Sequence, residues 1–250
     1  MRIDKFLADM GAGTRSEIRK NIRKNGVRIA GEVIRDPGFL LKEEAGASKA
    51  TFPEIFYENE LWQYEKAVWY MMNKPAGVLS ASEDKKQKTV LDLITERKRS
   101  GLFPVGRLDK DTEGLLLISN DGALSHRLLS PKYHVDKTYL VRITGAPFTP
   151  ENAALFAEGI RYDENLTALP AGLVPAPSGD PREALVTIRE GKFHQIKKMI
   201  AALGEGREVA YLRRISFGPL SLDESLLPGE YRRLSEEELQ SLQACCKDNK

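Results

Sequence analysis

The residues with the clearest chemical potential form one block, Gly106-Arg107-Leu108-Asp109-Lys110-Asp111-Thr112-Glu113-Gly114-Leu115-Leu116-Leu117. Gly106 and Gly114 permit backbone geometries that other residues resist. The run from Leu115 to Ile118 reads as a short apolar strand, ended by the turn signal Asn120-Asp121-Gly122. Asp109 therefore sits in a glycine-flanked turn at the mouth of a buried strand, where a rigid strand end would hold a catalytic carboxylate still. On spacing alone the block fits a polar hairpin loop of solvated charge equally well.

Two further groups carry chemistry. In Gly191-Lys192-Phe193-His194-Gln195-Ile196-Lys197-Lys198-Met199 a glycine turn leads into an apolar helix ended by Gly204. Cations at a helix start oppose the helix dipole and call for an anionic partner, a carboxylate or a phosphate. Tyr139 begins a β-branched, apolar run and by itself reads as a half-buried strand aromatic. His126, His134 and His194 are the only histidines, and none has acidic or cysteine partners at ligand spacing, so no metal site is expected. Cys245 and Cys246 are adjacent near a polar tail, which fits neither a disulfide framework nor a zinc site.

These residues need elements to position them. The 250 residues, 41% of them hydrophobic, suffice for two domains with a sizeable core. No apolar run approaches a membrane span, and the N-terminus lacks the apolar region of a signal peptide, so a soluble cytoplasmic protein is expected. The net charge of +2 conceals an uneven distribution: residues 1–42 hold ten basic and five acidic residues, while the other 208 sum to −3.

In that basic module Ile3, Phe6, Leu7 and Met10 recur at helical spacing until Gly11 and Gly13 break the pattern. A second helix starts with the capping-box pair Thr14 and Glu17; Ile18 and Ile22 point inward, and Arg15, Arg19, Lys20, Arg23 and Lys24 fill the other side. With Arg2 and Lys5 they form a basic face scarcely interrupted by acid, expected to contact RNA phosphates. A hairpin follows, with a strand at Gly26-Val27-Arg28-Ile29 and a turn at Ala30-Gly31-Glu32. Residues 46–65 read as strand remnant and linker. The second domain, 66–250, starts at the apolar run Val68 to Met72 and the Asn73-Lys74-Pro75 turn. Strands are expected at 115–119, 139–143 and 185–189, and helices at 89–98, 124–129, 150–157 and 195–203. The mixture predicts an α+β fold with a mainly antiparallel sheet. No coiled-coil or long apolar seam is visible, and a monomer is expected.

The Gly106 block, with Asn73-Lys74-Pro75-Ala76-Gly77, Lys137-Thr138-Tyr139 and the Gly191–Met199 stretch in the same order, resembles the RsuA-type family of ribosomal RNA pseudouridine synthases. Residues 1–45 resemble the S4 RNA-binding domain in Arg2-Ile3-Asp4-Lys5-Phe6-Leu7, Thr14-Arg15-Ser16-Glu17 and the Gly26–Glu32 hairpin. The resemblance implies a pseudouridine synthase fold and an isomerase that needs no cofactor. It makes Asp109 the essential carboxylate and Arg107 the residue that admits and holds the target nucleotide. Tyr139 becomes the active-site aromatic. Lys197 takes the place of the basic residue paired with the Asp, a position often filled by Arg, with Lys198 the competing assignment; His194 is expected to be a structural hydrogen-bonding residue. Breaking N1–C1′, rotating the base and rejoining it through C5 needs no redox change. Asp109 could remove the 2′ proton, attack C1′ or add to C6. The blocks Ser125-His126-Arg127 and Ser130-Pro131 resemble most closely members acting on small-subunit (16S) ribosomal RNA. Large-subunit enzymes are the nearest competitor, and a non-catalytic assembly factor is a different class of reading.

Overall fold

The computed structural model describes residues 1–42, 52–62, 67–96 and 101–246. Two compact units result, one of Met1–Val68 with Ile94–Leu102, the other of Trp69–Leu93 with Phe103–Lys250.

The first unit begins with α1 (Ile3–Asp9) and α2 (Arg15–Asn25). Thr14 and Glu17 close the expected capping box at the start of α2, the Glu17 carboxylate accepting from Thr14 N at 3.0 Å. The hairpin β1 (Val27–Ile29) and β2 (Glu32–Ile34) follows. A second hairpin, β3 (Ile55–Tyr57) and β4 (Glu60–Trp62), pairs with β1 and completes the sheet order β2-β1-β3-β4. Ile55 and Tyr57 enter the same core as Ile3, Phe6, Leu7, Ile18, Ile22 and Val27. This corrects the linker expected at 46–65: its described part is a working half of the first unit's sheet. The alternation that reveals it, buried Ile55 and Tyr57 about exposed Phe56, is too short to register as a strand pattern. Residues 46–51 and 63–65 of that stretch lie outside the described residues.

The second unit is built on a nine-stranded sheet. β5 (Trp69–Lys74) is buried on both faces and pairs with β7 (Glu113–Ser119), whose apolar run is likewise buried. That double burial explains why neither strand alternates in sequence. Between them lie a short 3-10 helix at Val90–Leu93 and the edge strand β6 (Phe103–Val105). The helix expected at 89–98 is thus one turn within the described residues. Asp92 accepts from Thr89 N and Oγ1 at 2.9 and 3.0 Å, and a parallel bridge between Leu79 and Thr89 keeps the preceding backbone extended.

After β7 come α3 (Gly122–Leu129), capped by Asp121, then β8 (Lys137–Thr144) and α4 (Pro150–Glu158). A small hairpin, β9 (Arg161–Asp163) and β10 (Leu166–Thr167), precedes β11 (Gly172–Pro175) and β12 (Glu183–Ile188). The chain then forms α5 (Gln195–Ala202), the long β13 (Glu208–Phe217), the short β14 (Leu220–Ser221), β15 (Tyr231–Arg233) and α6 (Glu236–Ala244). The sheet runs β11-β12-β8-β13-β7-β5-β15, with β14 on β13 and β6 on β7. Every pairing is antiparallel except β13 with β7. The fold is therefore α+β with a mainly antiparallel sheet, as the sequence predicts. Among the described residues no helix is long and apolar enough to cross a membrane.

Candidate active site

Asp109 lies in the loop between β6 and β7, and main-chain bonds hold that loop. The buried Lys74 ammonium donates to the carbonyls of Pro75, Lys110 and Thr112 at 3.0, 3.2 and 2.8 Å. Gly77 N donates to Lys110 O at 2.7 Å. Ser80 Oγ donates to Leu108 O at 2.8 Å and accepts from Leu108 N at 3.1 Å. The turn closes on itself through Thr112 N to Asp109 O at 3.1 Å. The upstream Asn73–Gly77 block thus has a physical role: it clamps the loop that carries the carboxylate. Burial pushes the Lys74 ammonium down to about 8, against which the charges of Asp111, Glu113 and Asp109 act.

Gly114 is required where β7 meets β13. Its φ is +98°, and an added Cβ would lie 2.2 Å from Arg214 O. No side chain fits between two strands that approach this closely.

Opposite the loop stands α5. Lys197 Nζ is 3.2 Å from Asp109 Oδ2 and donates to both Asp111 oxygens at 2.6 and 2.8 Å. Burial draws the Lys197 ammonium down, but the hydrogen bond to Asp111 and the Asp109 charge outweigh it and leave it above its ordinary value. Reciprocally, the hydrogen bond from Lys197 holds the Asp111 carboxyl below its usual range. Lys198 points elsewhere and pairs with Asp163 at 2.7 Å. Of the two lysines only Lys197 reaches Asp109. Asp111, which the sequence reading passes over, turns out to be the tighter partner of Lys197.

His194 departs from expectation. It takes the αL conformation at the N-cap of α5 and makes no capping hydrogen bond. Its Nε2 is instead 3.6 Å from Asp109 Oδ1, and Phe193 stacks on its ring at 3.8 Å between centroids. The loop before α5 is held by buried Gln195, which donates to Glu190 at 2.7 Å and accepts from Lys192 N at 3.0 Å.

Arg107, Asp109, Tyr139, Lys137, His194 and Arg214 line one cleft of about 750 Å³, within the range of small-molecule sites. A smaller recess of about 70 Å³ brings Asp109, Thr112, Tyr139, Ile188, Lys197 and Leu212 together. All four residues singled out in the sequence therefore meet: Arg107 is exposed at the rim, Tyr139 is buried on β8, and Asp109 and Lys197 are paired beside it. Sequence reasoning missed Arg214 and the cleft position of Lys137. Tyr139 and Arg214 are cross-strand partners, with the guanidinium carbon 5.9 Å from the ring centroid.

In the first unit the basic residues divide into two sets. Asp4, fully buried, accepts from Arg2 Nε and Nη2 at 3.1 and 3.0 Å and from Arg15 at 3.1 Å, with Arg19 3.6 Å away. Burial would push this carboxyl up, but the hydrogen bonds from Arg2 and Arg15 outweigh it and hold it below the usual range. Lys5, Lys20, Arg23 and Lys24 are exposed and make no ion pair among the described residues.

Residues 68–202 match the family described as RNA pseudouridylate synthase, and residues 1–45 match the S4 domain. The chain belongs to the RNA pseudouridylate synthase family and is a pseudouridine synthase carrying an N-terminal S4 domain. It is 44% identical to the uncharacterized RNA pseudouridine synthase YtzG of Bacillus subtilis, covering 97% of this chain and 98% of that one. It is 38% identical to ribosomal small subunit pseudouridine synthase A of Escherichia coli, covering 97% of this chain and all of the relative. A crystal structure of a pseudouridylate synthase superposes with a TM-score of 0.66 at 37% identity, covering 97% of this chain and 99% of that one.

Proposed function

We propose that this enzyme converts one uridine of small-subunit (16S) ribosomal RNA to pseudouridine, acting as a monomer with Asp109 as the essential carboxylate. The observation that carries the reading is the Asp109–Lys197 pair, set on a clamped loop at a cleft wide enough for a nucleotide and walled by Tyr139. The near full-length similarity to ribosomal small subunit pseudouridine synthase A supports the choice of RNA.

The target uridine leaves its stack, at a cost of a few kcal/mol, and enters the cleft. Arg107 at the rim offsets that cost by holding the displaced nucleotide. Tyr139 supplies a ring for the base to stack on and a hydroxyl near the sugar. Lys197 positions the Asp109 carboxylate, which acts at the ribose (removing the 2′ proton or attacking C1′) or at C6 of the base. The N1–C1′ bond breaks, the base turns, and C5 bonds to C1′ in place of N1; C5 gives its proton to solvent and N1 takes one up, so the product is an isomer of uridine. Arg2, Lys5, Arg15, Arg19, Lys20, Arg23 and Lys24 contact RNA phosphates without reading sequence.

Tritium release from ribosomal RNA containing 5-tritiated uridine tests the chemistry, comparing the natural protein with Asp109→Asn. Binding without release by the natural protein would favour a non-catalytic assembly factor. Carbodiimide-stopped primer extension on both ribosomal RNAs, from a strain lacking the protein, separates the 16S target from a large-subunit one.

A further inference from the structure

Of the cations lining the cleft, Arg189 pairs with Asp136 at 2.9 Å and Lys192 with Glu190 at 3.4 Å, while Arg107 and Lys110 are exposed to solvent. The remaining two are buried and unpaired. Lys137 and Arg214 are buried to 7% and 2% exposure, and among the described residues neither forms an ion pair. Lys137 Nζ donates to the carbonyl of Val135 at 2.8 Å, and Arg214 Nε donates to that of Leu115 at 2.7 Å. Arg214 Nη2 is buried without an acceptor. Both cations lie over the ring of Phe217, each 5.2 Å from its centroid, and the register of β8 and β13 puts them on the same sheet face as Tyr139.

Buried charge and a buried unpaired donor are both costly, so a fold that retains them without a carboxylate has left a place for an anion. Burial, reinforced by the charge of Arg214 and only partly opposed by that of Asp136, pushes the Lys137 ammonium down to about 8. The identity of the anion follows from the donor set. Ammonium and guanidinium offer only N–H donors, whereas uracil presents N–H as well as carbonyl oxygens. A phosphodiester presents acceptors alone and carries the missing charge.

We propose that Lys137 and Arg214 form a phosphate seat in the floor of the cleft, which takes a phosphodiester of the extruded nucleotide and fixes its sugar beside Tyr139 and Asp109. The proposal rests on the reading of RNA as substrate. It adds a binding subsite distinct from the Asp109–Lys197 pair.

The test titrates the full-length protein with uridine, uridine 5′-monophosphate and uridine 3′-monophosphate, followed by calorimetry or protein NMR. The natural protein should bind one of the monophosphates about tenfold more tightly than uridine, the value of one charge-assisted hydrogen bond. Lys137→Met, which removes a buried charge at similar volume, should fold normally and abolish that preference while leaving affinity for uridine within about twofold. Arg214→Lys, with circular dichroism confirming the fold, should reduce the preference part-way. Equal binding of uridine and both monophosphates by the natural protein overturns the proposal. So does a preference that survives Lys137→Met, or a Lys137→Met variant that loses uridine and monophosphate affinity in equal proportion, since the cations would then face the base. If the preference behaves as expected but the natural protein releases no tritium from RNA, the isomerase assignment of this cleft fails and the phosphate seat stands.

Discussion

Asp4→Asn separates two accounts of the S4 module that predict opposite signs. If the basic face works by net charge alone, deleting a carboxylate beneath it raises residues 1–42 from +5 to +6 and should tighten RNA binding. If the face works by geometry, the same change should weaken it. Asp4 accepts from Arg2 and Arg15 and lies within 3.6 Å of Arg19, so one buried carboxylate aims three of the seven proposed phosphate contacts. Asn keeps the shape but turns an NH2 toward cationic donors and removes the charge that held them. Each released arginine must then be ordered on binding, at about 0.5–1.5 kcal/mol per side chain. Three of them cost about 1.5–4.5 kcal/mol, so affinity for structured ribosomal RNA should fall by at least about tenfold.

The salt slope discriminates further. The number of available cations is unchanged, so the logarithmic dependence of affinity on salt should stay as it was, whereas Lys20→Ala should lower its magnitude by about 0.9. Filter binding from 50 to 200 mM salt, on protein whose fold is verified by circular dichroism, measures both quantities. Binding by Asp4→Asn that equals or exceeds that of the natural protein would refute the geometric argument.

The same residue gives a pH prediction. The folded-state Asp4 carboxyl is held below its unfolded value, so its stabilisation is complete above the ordinary carboxylate range, about pH 4–5, and is lost as pH falls through the folded value. Melting temperature should therefore drop less steeply with acid in Asp4→Asn than in the natural protein. Asp109→Asn should lower tritium release at saturating RNA by at least about a thousandfold with little change in RNA affinity. Lys197→Met should cut turnover by about ten- to a hundredfold, because it removes the cation shared by two carboxylates, and Lys197→Arg should recover part of the loss. Gly114→Ala should cost about 3 kcal/mol in urea unfolding, since its Cβ would meet a backbone carbonyl that cannot move without parting β13 from β7. A cost below about 1 kcal/mol would show that the strands separate easily.

What the sequence makes legible follows from local rules. The capping box at Thr14 and Glu17, the apolar spacing of Ile18 and Ile22 and the uninterrupted run of β7 each depend on neighbours a few residues away. The meeting of Asp109 with Lys197 comes from motif order, which spans the chain. The misses are the features whose partners are distant. β13 carries Glu208, Arg213 and Arg214 and does not read as an apolar strand, yet it lies between β8 and β7 in the centre of the sheet. Beside the ring of Phe217 on its own strand, its arginine meets the carbonyl of Leu115 and the ring of Tyr139, which belong to β7 and β8 and lie far off in sequence. Lys74 is hidden for the same reason, since two of its three acceptors, the carbonyls of Lys110 and Thr112, lie in a turn that only the fold brings to it. A pattern that equates charge with surface fails wherever backbone carbonyls do the solvating.

That failure also shows how the site divides its work. The loop bearing Asp109 is fixed through backbone atoms of Leu108, Lys110 and Thr112, which are gripped by Lys74, Gly77 and Ser80. The side chains of Arg107, Asp109 and Asp111 are left out of that clamp and face the cleft or solvent. Position is set through the backbone, and the side chains proposed to react are free of those bonds. Lys197 is the member placed to exploit this, since it binds Asp111 at 2.6 Å and Asp109 at 3.2 Å. In the proposed reaction, a small rotation of this one flexible ammonium would suffice to shift its charge from the exposed carboxylate to the one at the cleft.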